Sequence, residues 1–309
     1  MVNVLILGGI IVDQYYLVNE YPQNGTDSTI NEAFMIPGGC SLNVAVTLKN
    51  LGNLPYIFSK IGKDEAGDQI IDYLNANAIE TRFVKKVDAE TDYCLVVVDR
   101  SAERTFFTHE KLDREIPSDV MDEMLNMEFQ SVYVTGYFMA NTHLPSNNLT
   151  LLRKLAYKGT KILFDPSAVA ADIDFDVLKE LVELSDIMTP NRYEAEIISK
   201  KLGASLQECV KDTCCLICKD GSQKLSIIYE GKTEYMQPYS VQVIDTTGAG
   251  DSFAAGVLYG LSSGLAIQQA VKIGMACGAI TTTFKEPHGA FGISDINKII
   301  EIGSVKYDK

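Results

Sequence analysis

The sequence predicts a three-layer α/β/α fold with a mainly parallel central sheet and a small β-sheet lid. Three observations carry that prediction. Short apolar runs alternate with amphipathic stretches through much of the chain. Several of the runs are continuously apolar, as expected of strands in a parallel sheet covered on both faces. Two regions, 13–36 and 92–108, break the alternation and read as strands with no helix between them.

In chain order, the predicted core strands are Val2–Leu7, Tyr56–Ser59, Ser131–Thr135, Lys161–Asp165, Ile187–Thr189 and Cys214–Cys218. Between them, Ser41–Asn50 runs to Gly52, Glu65–Asn77 follows Asp64, and Leu144–Lys158 stops at Gly159. A glycine just past a periodic run is a helix C-terminal signal. This order calls for right-handed crossovers between parallel strands. Tyr93–Val98, a turn near Arg100–Glu103 and Arg104–Thr108 read as a hairpin. Strands of that kind do not easily join a parallel sheet, so 13–36 and 92–108 are expected to form a second, small sheet. That sheet is either a lid over a substrate site or an edge decoration. No internal repeat, low-complexity tract or long linker interrupts the chain, so 1–309 is expected to be one domain with the lid inserted into it.

The 309 residues carry 27 basic and 41 acidic side chains, a formal charge of −14. Nucleic-acid binding needs a basic face to neutralise phosphates, and no Lys/Arg cluster supplies one. No apolar run approaches the roughly 20 residues that span a bilayer. The start of the chain lacks the basic segment, long apolar stretch and small-residue cleavage site of a signal peptide. A cytoplasmic protein acting on small molecules is expected. Cys215-x-x-Cys218 is half of a metal or redox motif, but it lies in a predicted strand without a second pair or a nearby histidine, which favours buried thiols. His109, His143 and His288 are too far apart in sequence for a zinc-hydrolase motif.

The most informative stretch is Asp245-Thr-Thr-Gly-Ala-Gly-Asp-Ser-Phe253. Phe253, Val257, Leu258 and Leu261 then recur at helical spacing, so Gly248, Ala249 and Gly250 sit at a helix N-terminus. Free amide N–H groups and the positive end of the helix dipole converge there, making an anion hole. Asp251 adds a carboxylate able to take a proton from an attacking hydroxyl. The plainer reading of Asp251, a helix cap, does not account for the glycines before it. A P-loop motif is absent, and Gly8-Gly9-Ile10 does not complete a dinucleotide-binding fingerprint.

These residues resemble the signature of the ribokinase-like sugar kinases, the PfkB family. A second signature, Gly38-Gly-Cys-Ser-Leu-Asn43-Val-Ala45, is followed by Leu51-Gly52 and by Ile61-Gly62-Lys-Asp64-Glu-Ala-Gly67. Element order and length fit as well, so the resemblance covers essentially the whole chain. It implies a ribokinase-like fold and an ATP- and Mg²⁺-dependent phosphotransferase acting on an alcohol group. Asp13, Gly38, Gly39 and Asn43 match positions that hold substrate hydroxyls; read alone, Asp13 is equally a turn residue and Asn43 a helix-start residue. Asn191-x-x-Glu194 matches a motif that holds water around Mg²⁺, although its spacing is also that of a capping box. Lys219 and Gly221 lie where relatives carry a nucleotide-packing Thr-x-Gly turn, with lysine departing from the pattern. Gly289-Ala290 resembles a late loop over adenine. Asp245 resembles part of a monovalent-cation site, which implies possible use of K⁺.

Cys40 and Ser41 stand where relatives that use sugar phosphates place charge, so an unphosphorylated sugar or sugar derivative is the expected substrate. Arg104, in the lid, either meets a substrate carboxylate or is a solvated hairpin charge. A nucleoside kinase of the same fold remains the nearest alternative, with Tyr15, Tyr16, Phe106 and Phe107 available to stack. A silent sugar- or nucleotide-binding sensor and a nicotinamide-dependent oxidoreductase fit less well. Leu95 and Val97, alternating with Val96 and Val98, make the lid apolar enough to expect a homodimer through it.

Overall fold

The computed structural model describes residues 2–100, 104–140, 142–144 and 146–305, the side chains of the last two excepted. The turn expected near Arg100–Glu103 and the start of the helix expected at Leu144 fall partly outside these residues. A nine-stranded sheet runs in the order β13-β12-β11-β10-β9-β8-β1-β4-β5, and a separate four-stranded sheet in the order β3-β2-β6-β7.

The large sheet is built from β1 (Asn3–Leu7), β4 (Leu54–Gly62), β5 (Val84–Val87), β8 (Ser131–Thr135), β9 (Lys161–Asp165), β10 (Ile187–Met188), β11 (Cys215–Cys218), β12 (Leu225–Tyr229) and β13 (Lys232–Met236). From β5 to β11 the pairing is parallel. The inner strands are buried on both faces, with Leu5, Leu7, Val132 and Phe164 in one apolar cluster and Val4, Ile6, Tyr133 and Leu163 in the other. Alternate residues face opposite layers, which is why these strands read as unbroken apolar runs. The last two strands depart from the expectation. β12 and β13 add antiparallel at the edge. Glu230 and Gly231, both at positive φ, form the two-residue turn that such a hairpin requires.

Helices α1 (Cys40–Asn50), α2 (Glu65–Ala76), α3 (Ser118–Leu125), α4 (Gly136–Met139), α5 (Asn147–Tyr157), α6 (Phe175–Leu184), α7 (Arg192–Leu202), α8 (Leu206–Cys209), α9 (Ala249–Ser262), α10 (Ile267–Thr281) and α11 (Ile293–Val305) supply the outer layers. α2, α5 and α6 each present an apolar stripe to the sheet, whereas α1 is buried continuously from Ser41 to Leu48, between the sheet and α9. α9 and α10 pack on each other through glycine. A Cβ on Gly256 would lie 2.8 Å from the Gly274 Cα, and one on Gly274 would lie 2.8 Å from the Phe253 carbonyl oxygen. Larger residues at either position would force the helices apart. The buried hydroxyls of Thr47, Ser252 and Thr281 then join α1, α9 and α10 in one chain, at 3.1 and 2.8 Å.

The small sheet, from β2 (Ile11–Val18), β3 (Ile30–Gly38), β6 (Tyr93–Val98) and β7 (Arg104–His109), matches the expected lid segments to within a few residues. β2 pairs parallel to β6 and antiparallel to β3, while β6 and β7 form the predicted hairpin. Alternation places Asp13, Tyr15, Cys94, Val96, Arg104 and Phe106 on one face. Tyr15, Cys94 and Val96 form its small core. The cysteines are free thiols; Cys214 and Cys215 are buried, and burial pushes both thiols up to about 12.

Candidate active site

Two chain turns meet at the C-terminal ends of the parallel strands. The first follows β3, where Gly39, at φ +96°, caps α1. A Cβ on Gly39 would lie 2.8 Å from the Gly9 carbonyl oxygen, and one on Gly38 only 2.2 Å from an oxygen of Asp13. Glycine at 38 and 39 therefore lets the backbone close against the Asp13 carboxylate. Burial pushes Asp13 up to about 6, and the charge of Arg104 works against that shift.

The second turn leads into α9. Gly248, at φ +76°, is its N-cap, and a Cβ there would lie 2.5 Å from the Pro287 carbonyl oxygen. Ala249, Gly250 and Asp251 form the first turn of the helix, where N–H groups lack intrahelical partners; that of Ala249 donates to the Thr246 carbonyl at 3.2 Å. The two turns join through one hydrogen bond: Asn43 Nδ2 donates to Asp251 Oδ2 at 2.7 Å. Asn43 is buried, and its own Oδ1 has no hydrogen-bond partner.

Asp251 keeps some accessible surface, yet protein surrounds its carboxyl closely enough that desolvation pushes it up to about 7. The Asn43 hydrogen bond opposes the rise and Asp165 adds to it; Lys219 and a hydrogen bond from Cys40 also oppose it. The result is a carboxylate poised to exchange a proton near neutrality.

Lys219 approaches the same helix start from β11. Its Nζ donates to Asp165 Oδ2 at 3.0 Å and stands 3.5 Å from where a Cβ on Gly250 would be. Burial works against its charge, but Asp165 and Glu194 outweigh it and hold the ammonium form above its ordinary range. Asp165, at the end of β9, is fixed by the Thr189 hydroxyl at 2.9 Å. Asn191 and Glu194 form a complete capping box on α7: the Asn191 N–H and Nδ2 donate to Glu194 at 2.8 Å each, and Glu194 N donates to Asn191 Oδ1 at 2.8 Å. The capping-box reading thus describes their geometry. Glu194 is nonetheless buried, and desolvation followed by the charge of Asp165 raises its carboxyl.

Beside the helix start lies a cleft of about 520 Å³, lined by Lys219, Gly221, Val243, Gly250, Phe253 and Ala279 among others. Its lining is mainly apolar, with Lys219 and Thr246 among the polar groups, a combination that suits an aromatic base and its phosphates. Gly289 is not part of its lining; a Cβ there would strike the Phe284 ring. The neighbouring loop packs toward the acceptor side, where His288 Nε2 lies 3.3 Å from the Pro37 carbonyl oxygen. A cavity of about 600 Å³ near Lys161, Asp186 and Leu265 opens at the opposite ends of the strands, away from these groups.

Arg104 behaves differently from either expectation. Its guanidinium ion-pairs with Asp245, donates to Thr247 Oγ1 at 2.6 Å and lies 5.8 Å from the Tyr15 ring centre. Asp245 also accepts from Thr247 N and Oγ1, both at 2.8 Å. Its carboxylate is thus paired with a lid cation, while Asp245 Oδ2 is buried and accepts no hydrogen bond. Sequence reasoning missed Asp165, Thr189 and the contact of Cys40 with Asp251. These partners lie far apart in the chain, and no local pattern marks them.

The arrangement of a glycine-rich helix start, a neighbouring carboxylate and an apolar cleft accords with the family comparison, in which residues 1–288 match the model for pfkB family carbohydrate kinases. The chain belongs to this family. Among PfkB relatives, it is 26% identical to the ribokinase of Haemophilus influenzae over 91% of this chain and 92% of that one. It is 27% identical to the nucleoside kinase of Methanocaldococcus jannaschii, covering 92% of each. The fold is shared with that nucleoside kinase at a TM-score of 0.83 (24% identity, 98% and 99% of the two chains). It is also shared with the ribokinase of Thermotoga maritima at 0.82 (21% identity, 97% and 99%). The PfkB fold thus accounts for the order of strands and for the separate small sheet.

Proposed function

We propose that the enzyme transfers the γ-phosphoryl group of ATP directly to a hydroxyl of a small, unphosphorylated sugar or sugar derivative, with Asp251 as general base. The observation that carries this reading is the Asn43–Asp251 bond, which sets the base of one turn against the acceptor-side glycines of the other. Asp13, Gly38, Gly39 and Asn43 would hold the acceptor, with the unpartnered Asn43 Oδ1 ready to take a hydrogen bond from a hydroxyl. The acceptor proton passes to Asp251 as its oxygen attacks the γ-phosphorus and the bond to ADP breaks. The N–H groups of Gly248, Ala249 and Gly250, with Lys219 beside them, would stabilise the migrating charge.

Among the described residues no group of three acidic, histidine or cysteine side chains forms a metal cage. The Asn191–Glu194 pair, half-buried and buried in turn, fits Mg²⁺ held through water and the nucleotide phosphates, as this ion commonly is. When bound, Mg²⁺ neutralises phosphate charge. Gly221 and Lys219 would border the nucleotide in the apolar cleft, and Gly289 would act only through the loop that carries it.

Anionic acceptors are disfavoured because the arginines beside the acceptor turn are already paired. Arg104 is bound to Asp245, and Arg114 to Asp92 at 3.0 Å and Glu110 at 3.4 Å. A nucleoside remains the second reading, supported by one observation. Phe34, Tyr15, Val96 and Phe106 form a row on the Asp13 face of the lid, with Tyr15 and Phe34 stacked at 4.9 Å. ADP release measured over free sugars, sugar acids, sugar phosphates and nucleosides separates the readings. Highest catalytic efficiency on a sugar phosphate would refute the first.

We further propose a homodimer through the other lid face, where Met35 and Phe107 are 53% and 57% exposed in one row with Leu95. Among the described residues no helix is long and apolar enough to cross a membrane. A cytoplasmic setting suits seven free thiols and an ATP-using enzyme.

A further inference from the structure

A lid side chain reaches the phosphoryl-binding turn. Arg104 is the first residue of β7, on the lid face that carries Asp13 and Tyr15. Its guanidinium reaches out of the lid to Asp245 and to the Thr247 hydroxyl, the residues directly before Gly248. The side chains of Arg104 and Asp245 are only 20% and 9% exposed, so water screens this pair weakly. Thr247 N and Oγ1 bind the other Asp245 oxygen, which makes the turn from 245 to 248 a unit built around one nearly buried carboxylate. Such a carboxylate requires a positive partner, and here the partner comes from the lid.

We propose that Arg104 is a positioning residue that takes the place of a monovalent cation at Asp245, and so ties lid closure to the shape of the anion-hole turn. The inference rests on the kinase reading only for its catalytic consequence. With the lid down, the guanidinium holds Asp245 and Thr247 and fixes the peptide planes that lead into Gly248, Ala249 and Gly250. With the lid lifted, the carboxylate loses its partner and the turn its anchor. Acceptor binding under the lid would thereby promote phosphoryl transfer, and ATP alone would be hydrolysed slowly. The residues at Asp245 do not fit a bound K⁺ while Arg104 is in place, so the wild-type enzyme should be indifferent to potassium.

The test compares wild type, Arg104→Ala and Arg104→Lys in potassium and in tetramethylammonium chloride at equal ionic strength. Thermal melting is read first, because it needs no activity. The wild type should melt at the same temperature in both salts. Arg104→Ala should melt lower in tetramethylammonium and recover in potassium, as the freed carboxylate acquires the small cation; Arg104→Lys should resemble wild type. Acceptor-dependent turnover should follow the same pattern, with kcat of Arg104→Ala falling by about 10²-fold and potassium restoring part of it, while ATP KM changes little. A wild type stabilised or activated by potassium would overturn the proposal, as would an Arg104→Ala protein unaffected by either salt. If wild type shows no acceptor-dependent turnover, the kinase reading fails separately, and the melting comparison still decides the role of Arg104 at Asp245.

Discussion

Asp251 illustrates how one residue acquires its chemistry from its surroundings. An aspartate in water titrates far below neutrality, whereas enclosure raises this one to about 7. Only the ionised form can accept a proton, so kcat/KM should rise with pH through that region and level off above it. Asn43 donates to the charged form and restrains the shift. Asn43→Ala should therefore move the acidic limb about one to two units to higher pH, because a hydrogen bond to a charged group is worth about 1.5–3 kcal/mol. A pH–rate profile of the variant checks this, and an unmoved limb would detach Asn43 from the base. Asp251 and its glycines were legible because the motif is contiguous and each residue type has a local reason. The Lys219–Asp165 pair was not legible, since 54 positions separate partners that only the sheet brings together. The pairing of Arg104 with Asp245 was hidden for the same reason, its partner lying on another element.

At the scale of elements, the start of α9 separates two uses of glycine. Gly248 is required by its backbone, at φ +76° and against Pro287. Gly250 has an ordinary backbone, and a Cβ there would make only a 3.5 Å contact with Lys219. Gly250→Ala should fold with near-native melting but lose about 10²–10³ in kcat, because the methyl occupies the space of the migrating phosphoryl. Gly248→Ala should lose stability as well, by about 1 kcal/mol or more. Melting curves and kcat for the two variants test the distinction. Six of the seven parallel strands were legible to within a few residues because double burial writes itself as continuous apolar sequence, whereas β5, Val84-Lys-Lys-Val87, is half-exposed at the edge and escaped notice. The β12–β13 hairpin escaped notice although Glu230-Gly231 marks its turn, since Lys232–Met236 is an exposed edge strand with little apolar content. The Asn191–Glu194 spacing allowed two readings at once, and the structure displays the capping box.

For the whole molecule, the nine-stranded sheet supplies a rigid floor and the four-stranded sheet a cover. Contacts between the two include the Arg104–Asp245 pair and the approach of His288 to the Pro37 carbonyl of β3. The outer face of the lid bears Met35, Leu95 and Phe107, an apolar surface that a second copy would cover. Met35→Glu with Phe107→Glu should convert a dimer to a monomer in sedimentation while nucleotide binding persists; a wild-type monomer would remove the proposal. The lid was legible as strands without helices, whereas its interior and exterior could not be assigned until Tyr15 and Val96 were seen buried. The measurement that bears most directly on the central claim is acceptor-dependent ADP formation by wild type and Asp251→Asn, with ATP affinity measured alongside. The account predicts a fall in kcat of about 10²–10⁴ with ATP binding largely retained, and near-native turnover by Asp251→Asn would contradict it.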